Sequence, residues 1–266
     1  MSTHFDADWL ALREGADRRA RAAALLPPLT DWLPAGPLQI TDLGAGTGSN
    51  LRYLAPILPG PQHWTLVDQD RDLLERAQPP LPAVTLERRV ADLVREPLPP
   101  VPSPHLVTTA ALLDLVSGPW LETLAARCRE LASAVLLTLS VDGRIRWQPA
   151  DADDALVRDC ISRHQGRDKG FGPALGPVSG AVAEAAFRDQ GYRAWLSPSP
   201  WRIGPEQAAL QAALLAGWHA AARETAPQHA ARLDAWAERR RRAIDAGIVT
   251  LTVGHVDLLA LPPEPR

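Results

Sequence analysis

The chain has 266 residues, 46% of them hydrophobic and 22% charged, an ordinary balance for a soluble globular protein of one large domain or two small ones. With 28 basic against 31 acidic residues the net charge is −3, which argues against a broad cationic footprint for nucleic acid. No run of about 18 apolar residues is present to span a membrane, and two cysteines outside any metal-ligand spacing, Cys128 and Cys160, predict a reduced, cytoplasmic protein.

Residues 1–33 read as a helical segment, because Phe5, Trp9, Leu12, Ala16 and Ala20 recur at three- and four-residue steps. Pro27–Pro28 is predicted to stop that pattern. From Leu38 the chain alternates: strand Leu38–Leu43, helix Thr47–Leu58, strand His63–Val67, helix Asp70–Ala77, and strands Ala83–Val90 and His105–Ala110. Helix Pro119–Leu131 and strand Ser133–Val141 follow. Alternation at this spacing predicts an α/β protein with a parallel sheet covered on both faces. After Gly143 come helix Asp151–His164, a glycine-rich stretch Gly166–Pro177, helix Val178–Gln190 and strand Tyr192–Leu196. Two helices, Glu206–Thr225 and Gln228–Ala246, precede a final long strand, Ile248–Leu261.

The densest local signal is Ile40-Thr41-Asp42-Leu43-Gly44-Ala45-Gly46-Thr47-Gly48. A strand enters a glycine turn and a helix starts behind it, at the carboxyl end of a strand where open α/β sheets bind ligands. The spacing is G-x-G-x-G rather than the dinucleotide G-x-G-x-x-G. Asp42, two residues ahead of the first glycine, would repel a pyrophosphate and suits a ligand with a positive amino group. Asp68 ends the second strand, where an acid can accept from ribose hydroxyls, with Gln69 next to it. Asp92-Leu93 follows the third strand and is placed to face an adenine; Thr109 ends the fourth, and Asp114 lies just beyond.

With these landmarks, residues 38–141 resemble the class I S-adenosylmethionine (SAM)-dependent methyltransferases. The resemblance implies a Rossmann-like, mostly parallel sheet of seven strands with one antiparallel member and helices on both faces. It implies that Asp42 and Gly44–Gly48 wrap the methionine part of SAM, Asp68 holds the ribose and Asp92 with Leu93 faces the adenine. The chain then reads as one methyltransferase domain: a cap (1–33), a SAM-binding core (34–145), a substrate-side insertion (146–190), and a segment completing the sheet (191–266). No Asn-Pro-Pro-Tyr follows the fourth strand, no Pro-Cys nucleophile is present, and Asp114 and Asp142 are too few acids for the metal-dependent type, so no metal is assigned.

Three regions are candidates for the acceptor side. Trp9 and Arg13 lie four residues apart and so on one helix face. Asp114 is either a base or acceptor contact, or the cap of a short turn. On the predicted helix 151–164, His164 falls on the apolar face, as a catalytic group or a satisfied core histidine. The loop behind it holds Arg167, Lys169 and Phe171. Lys169 is the one lysine among 28 basic residues, which singles out a compact ammonium that arginine does not replace. Arg163, Arg167 and Lys169 together predict an anionic small-molecule acceptor. Trp195, Trp201, Trp218 and Trp236 read as packing aromatics, and Arg239–Arg242 as a solvated helix end. The competing readings are an RNA or protein methyltransferase, and a SAM-binding protein that transfers no methyl. No heptad or edge-strand pattern specifies an oligomeric state.

Overall fold

Several of the strands form where apolar, β-branched residues run together. In a computed structural model, which describes residues 6–263, the strands are Leu38–Leu43 (β1), Gln62–Asp68 (β2), Val84–Val90 (β3), Leu106–Ala110 (β4) and Ala134–Gln148 (β5). Arg193–Pro198 (β6), Trp201–Ile203 (β7) and Thr250–Leu261 (β8) complete one sheet. Its order is β3-β2-β1-β4-β5-β8-β6, with β7 joined to β8. Strands β1 to β5 pair in parallel, whereas β8 runs antiparallel to β5, β6 and β7. The chain leaves β1 toward β2 on one side and β4 on the other. This reversal of strand order opens a crevice at the carboxyl ends of the strands.

The sheet has eight strands, not the seven expected. The difference lies in an arm beyond the parallel core. β5 does not end at Val141 but continues to Gln148, pairing Ile145 with Val253 and Trp147 with Leu251. The short β7 is the added strand, pairing Trp201 with Val253. Register shifts between Leu137 and Ser140 and between Val141 and Ile145 bend the arm, as bulged strands do.

The helices are Ala7–Ala20 (α1), Leu26–Trp32 (α2), Ser49–Leu54 (α3), Arg71–Arg76 (α4), Gly118–Glu130 (α5), Asp154–Gln165 (α6), Ser179–Asp189 (α7), Ala208–Thr225 (α8) and Ala230–Asp245 (α9). Asp6 caps α1 by accepting from the Asp8 amide at 3.0 Å. Phe5 lies outside the described residues. Pro27–Pro28 begins α2 instead of stopping a helix, because the first turn has no use for the amide hydrogens that proline lacks. The long helix expected over Thr47–Leu58 shrinks to α3.

Leu29, Leu51 and Trp64 are fully buried on one face of the sheet, and Leu121, Leu124 and Phe187 on the other. Each such side chain contributes about 1.5–3 kcal/mol relative to exposure. A third cluster, with Trp147, Leu233 and Trp236, lies between the arm and α6, α8 and α9. Its rim is ionic. Arg239 bonds Asp151 and Asp153 at 2.7 Å each, and Arg240 pairs with Asp154. The arginine run therefore is not simply a solvated helix end: Arg240 is buried and stacks over Trp147, 5.0 Å from its ring centre.

Candidate active site

The glycine loop leaves β1 with Gly44, Gly46 and Gly48 in the left-handed region, at φ +66°, +51° and +79°, where L side chains are strained. Two backbone donors tie it to β2. The Ala45 amide donates to the Val67 carbonyl at 3.0 Å, and the Gly46 amide to Asp68 Oδ2 at 2.8 Å. Asp68 Oδ1 accepts from the Asp70 amide at 3.0 Å. Burial pushes the Asp68 carboxyl above the usual carboxylate range, against these bonds. Helix α1 crosses the loop, with Leu10 Cδ1 only 3.2 Å from where a Cβ on Gly46 would sit. Glu14 on α1 holds Arg52 on α3 through two bonds of 2.8 and 2.7 Å.

Below α1 lies a cleft of about 1050 Å³, measured out to its open mouth. Gly44, Ala45 and Gly46 form one wall. Asp68 and exposed Gln69 lie at the end of β2, and Asp92 with Leu93 beyond β3. Asp92 Oδ1 accepts from the Val94 amide at 3.0 Å. The Leu93 carbonyl accepts from Trp120 Nε1 at 2.6 Å. Phe171 meets Trp120 edge-on at 5.7 Å and lines the cleft together with Arg13 and Lys169.

A second cavity, about 750 Å³ to its mouth, adjoins the first through Arg13, Ala111 and Leu115. Trp9, Asp114, Leu139, Trp201, Trp218 and His255 line it. Two of its residues hold left-handed backbone without being glycine: Ala111 at φ +55° and Leu139 at φ +58°. The Ala111 amide donates to the Thr138 carbonyl at 2.9 Å and the Leu139 amide to Asp257 Oδ1 at 2.8 Å. Strain held in this way clusters where a backbone is shaped for a ligand. Burial pushes the Asp114 carboxyl up to about 6, while the Arg13 and Lys169 charges oppose the rise. Burial also pushes His255 down to about 4. Its Nδ1 lies 3.1 Å from the Val253 carbonyl, an oxygen that only accepts, so the proton is on Nδ1 and the neutral ring keeps an acceptor at Nε2.

Four residues expected in the site lie elsewhere. Asp42 is fully buried behind the cleft and accepts from Asn50 Nδ2 at 3.0 Å; Asn50 lines the cleft in its place. Thr109 Oγ donates to the Leu43 carbonyl at 2.7 Å, binding β4 to β1. His164 pairs with Glu224 on α8 at 3.4 Å, and Arg167 pairs with the same carboxylate. The cationic group inferred for an anionic acceptor is therefore not assembled, since Glu224 draws Arg167 away from the cleft. Lys169 Nζ lies 3.5 Å from His164 Nδ1. Trp201, Trp218 and Trp236 pack in the third cluster as expected, with Trp201 and Trp218 also lining the second cavity, whereas Trp195 is exposed.

Sequence reasoning passed over Leu10, Asn50, Ala111, Leu139 and His255. A signal existed for His255: it follows Gly254 inside an otherwise apolar strand. A Cβ at Gly254 would come within 2.0 Å of Asp142 Oδ1, so the Asp142 carboxylate occupies the space a side chain there would need. Among the described residues no group of three or more His, Cys, Asp or Glu is arranged to hold a metal ion. None of the described helices is long and apolar enough to cross a membrane.

No family model and no curated protein matches the sequence. Solved structures do match the fold. The cyclopropane synthase MmaA2 from Mycobacterium tuberculosis is 12% identical, with a TM-score of 0.51 over 96% of this chain and 94% of that one. The YcgJ protein from Bacillus subtilis is 13% identical, with a TM-score of 0.51 over 92% of this chain and 100% of that one. The fold is thus a Rossmann-like one shared with these two proteins, as its strand order and antiparallel β8 already indicate.

Proposed function

We propose that the protein is a SAM-dependent methyltransferase acting on a small-molecule acceptor. One observation carries the reading: a left-handed glycine loop, tethered to Asp68 at the strand-order reversal, lines a cleft that joins a second cavity through Arg13, Ala111 and Leu115. Two joined chambers suit a reaction between two bound molecules. SAM, when bound, supplies a methyl group already activated on a sulfonium. The residues fit such a ligand. The Gly44–Gly46 backbone leaves room where side chains would intrude, and Asn50 offers a polar group beside the loop with Asp42 behind it. Asp68 suits ribose hydroxyls, assisted by Gln69, while Asp92 and Leu93 suit an adenine. Thr109 acts indirectly, by holding β4 against β1.

The chain's own remaining task is to align the acceptor, which can be worth about 7–11 kcal/mol in such reactions. Trp9 and Arg13 would cover the junction from α1, and Lys169 and Phe171 would close the mouth from the 166–177 loop. Asp114 would hold or take the acceptor's proton, and its raised pKa suits that task near neutral pH. His164 and Arg167 receive no role at the reacting atoms.

Thermal unfolding with SAM, S-adenosylhomocysteine and NAD tests the reading. A ligand at about 100 times its Kd adds about 2.7 kcal/mol, a rise of roughly 5–10 °C. Both adenosyl compounds should give this rise, NAD should not, and Asp68→Ala should lose it. A response to NAD alone, or to none of the three, would overturn the assignment. Binding without methylated product from any small-molecule panel would leave a SAM-binding protein that transfers no methyl.

A further inference from the structure

The second cavity has a chemistry of its own. Three indole rings, Trp9, Trp201 and Trp218, share its wall with Leu139 and Leu115. Its charged donors and one indole already have acid partners. Arg13 pairs with Asp17 at 3.1 Å, Arg144 pairs with Asp142, and Trp201 Nε1 donates to Asp17 Oδ1 at 3.0 Å. The Asp114 carboxylate, His255 Nε2 and the Gln165 amide remain to meet a ligand. The arginines each carry a matched acid, so Asp114 is the one lining charge without a side-chain ion pair among the described residues. Lys169 lies on the first cleft and meets His164 rather than Asp114.

From this arrangement we propose that the second cavity takes an organic amine on a flat apolar body, with Asp114 as its counter-ion and the indole faces as its walls. Aromatic faces attract ammonium groups as well as flat rings, and a carboxylate with no ion-pair partner is satisfied by a charged N–H donor. A carboxylate or phosphate ligand would instead face Asp114 with no free cation in the lining to offset it. The elevated pKa of Asp114 is consistent with a charge awaiting its partner. As an account of the methyl acceptor, the proposal rests on the first cleft being the methyl-donor site.

The test is calorimetric titration of the full chain with tryptamine, tryptophol and indole-3-acetate, three probes with one ring and different heads. Each is titrated with and without S-adenosylhomocysteine. Tryptamine should bind about tenfold or more tighter than indole-3-acetate, the size expected of one charge contact in a partly buried site. Asp114→Asn should remove that preference while keeping wild-type affinity for S-adenosylhomocysteine, which shows that the variant is folded. Trp218→Leu should weaken all three probes together. The proposal is overturned if indole-3-acetate binds as tightly as tryptamine, if the preference survives Asp114→Asn, or if no probe binds at millimolar concentration. Failure of S-adenosylhomocysteine alone to bind would refute the donor-site reading, and the titrations without it would still decide the head-group preference.

Discussion

Asp42 provides a sharp test of how the glycine-loop region is held. It is fully buried; one carboxylate oxygen accepts from Asn50 and the other has no hydrogen-bond partner. Burial pushes its pKa from 3.8 to about 7, against the Asn50 bond and the Arg21 charge. Between about pH 4 and pH 7 the folded chain therefore keeps a proton that the unfolded chain has released. Stability contributed at this site is greatest at low pH and falls as pH rises toward the folded pKa. Three units at about 1.36 kcal/mol each make the full loss about 4 kcal/mol. Asp42→Asn has no proton to lose. Urea unfolding of both proteins from about pH 4 to about pH 8 isolates the effect, because every other titrating group is common to both. The stability difference should shift by roughly 3–4 kcal/mol in favour of the variant as pH rises. Two parallel curves, offset by a constant amount, would refute the reasoning and mean that Asp42 is ionised and compensated.

Three further outcomes follow from the same geometry. Asp257→Ala should cost about 3–5 kcal/mol and roughly 6–20 °C in Tm, because Asp257 accepts from the Leu139 amide, Ser199 Oγ and the Ala22 amide at 2.8, 2.6 and 2.9 Å; calorimetry showing a loss below about 1 kcal/mol would contradict it. Gly46→Ala forces a side chain into left-handed backbone against Leu10, at about 1–2 kcal/mol, and should weaken S-adenosylhomocysteine binding about tenfold in a direct titration. His164→Ala should change turnover and S-adenosylhomocysteine affinity by no more than about twofold, whereas a loss near 100-fold would place the imidazole in the chemistry after all.

The parallel core was legible in the sequence because its signals are local. Runs such as Leu38–Leu43 and His63–Val67 bury on both faces, and the three glycines after β1 need left-handed backbone that other residues resist. Asp68, Asp92 and Leu93 follow strands directly, so their place at the cleft came from position alone. The arm of β5 and β8 was not legible, since the polar, charged segment Asp142–Arg146 carries no strand pattern of its own. It is held by pairing with residues about a hundred positions away. His164 and Arg167 misled for a related reason. Helix periodicity placed His164 toward the interior and the loop composition grouped Arg167 with a ligand, but neither signal reveals Glu224, which comes from α8.

What this sequence determined by itself was the order of strands and helices, the glycine turn and the acids at the strand ends, all set within a few residues of each other. The tertiary structure alone decided which residues face the second cavity. Trp9 comes from α1, Asp114 follows β4, Leu139 lies in β5, Trp218 in α8 and His255 in β8. They meet only because β8 inserts antiparallel between β5 and β6 and the arm folds under α8, long-range packing that no local run of residues encodes.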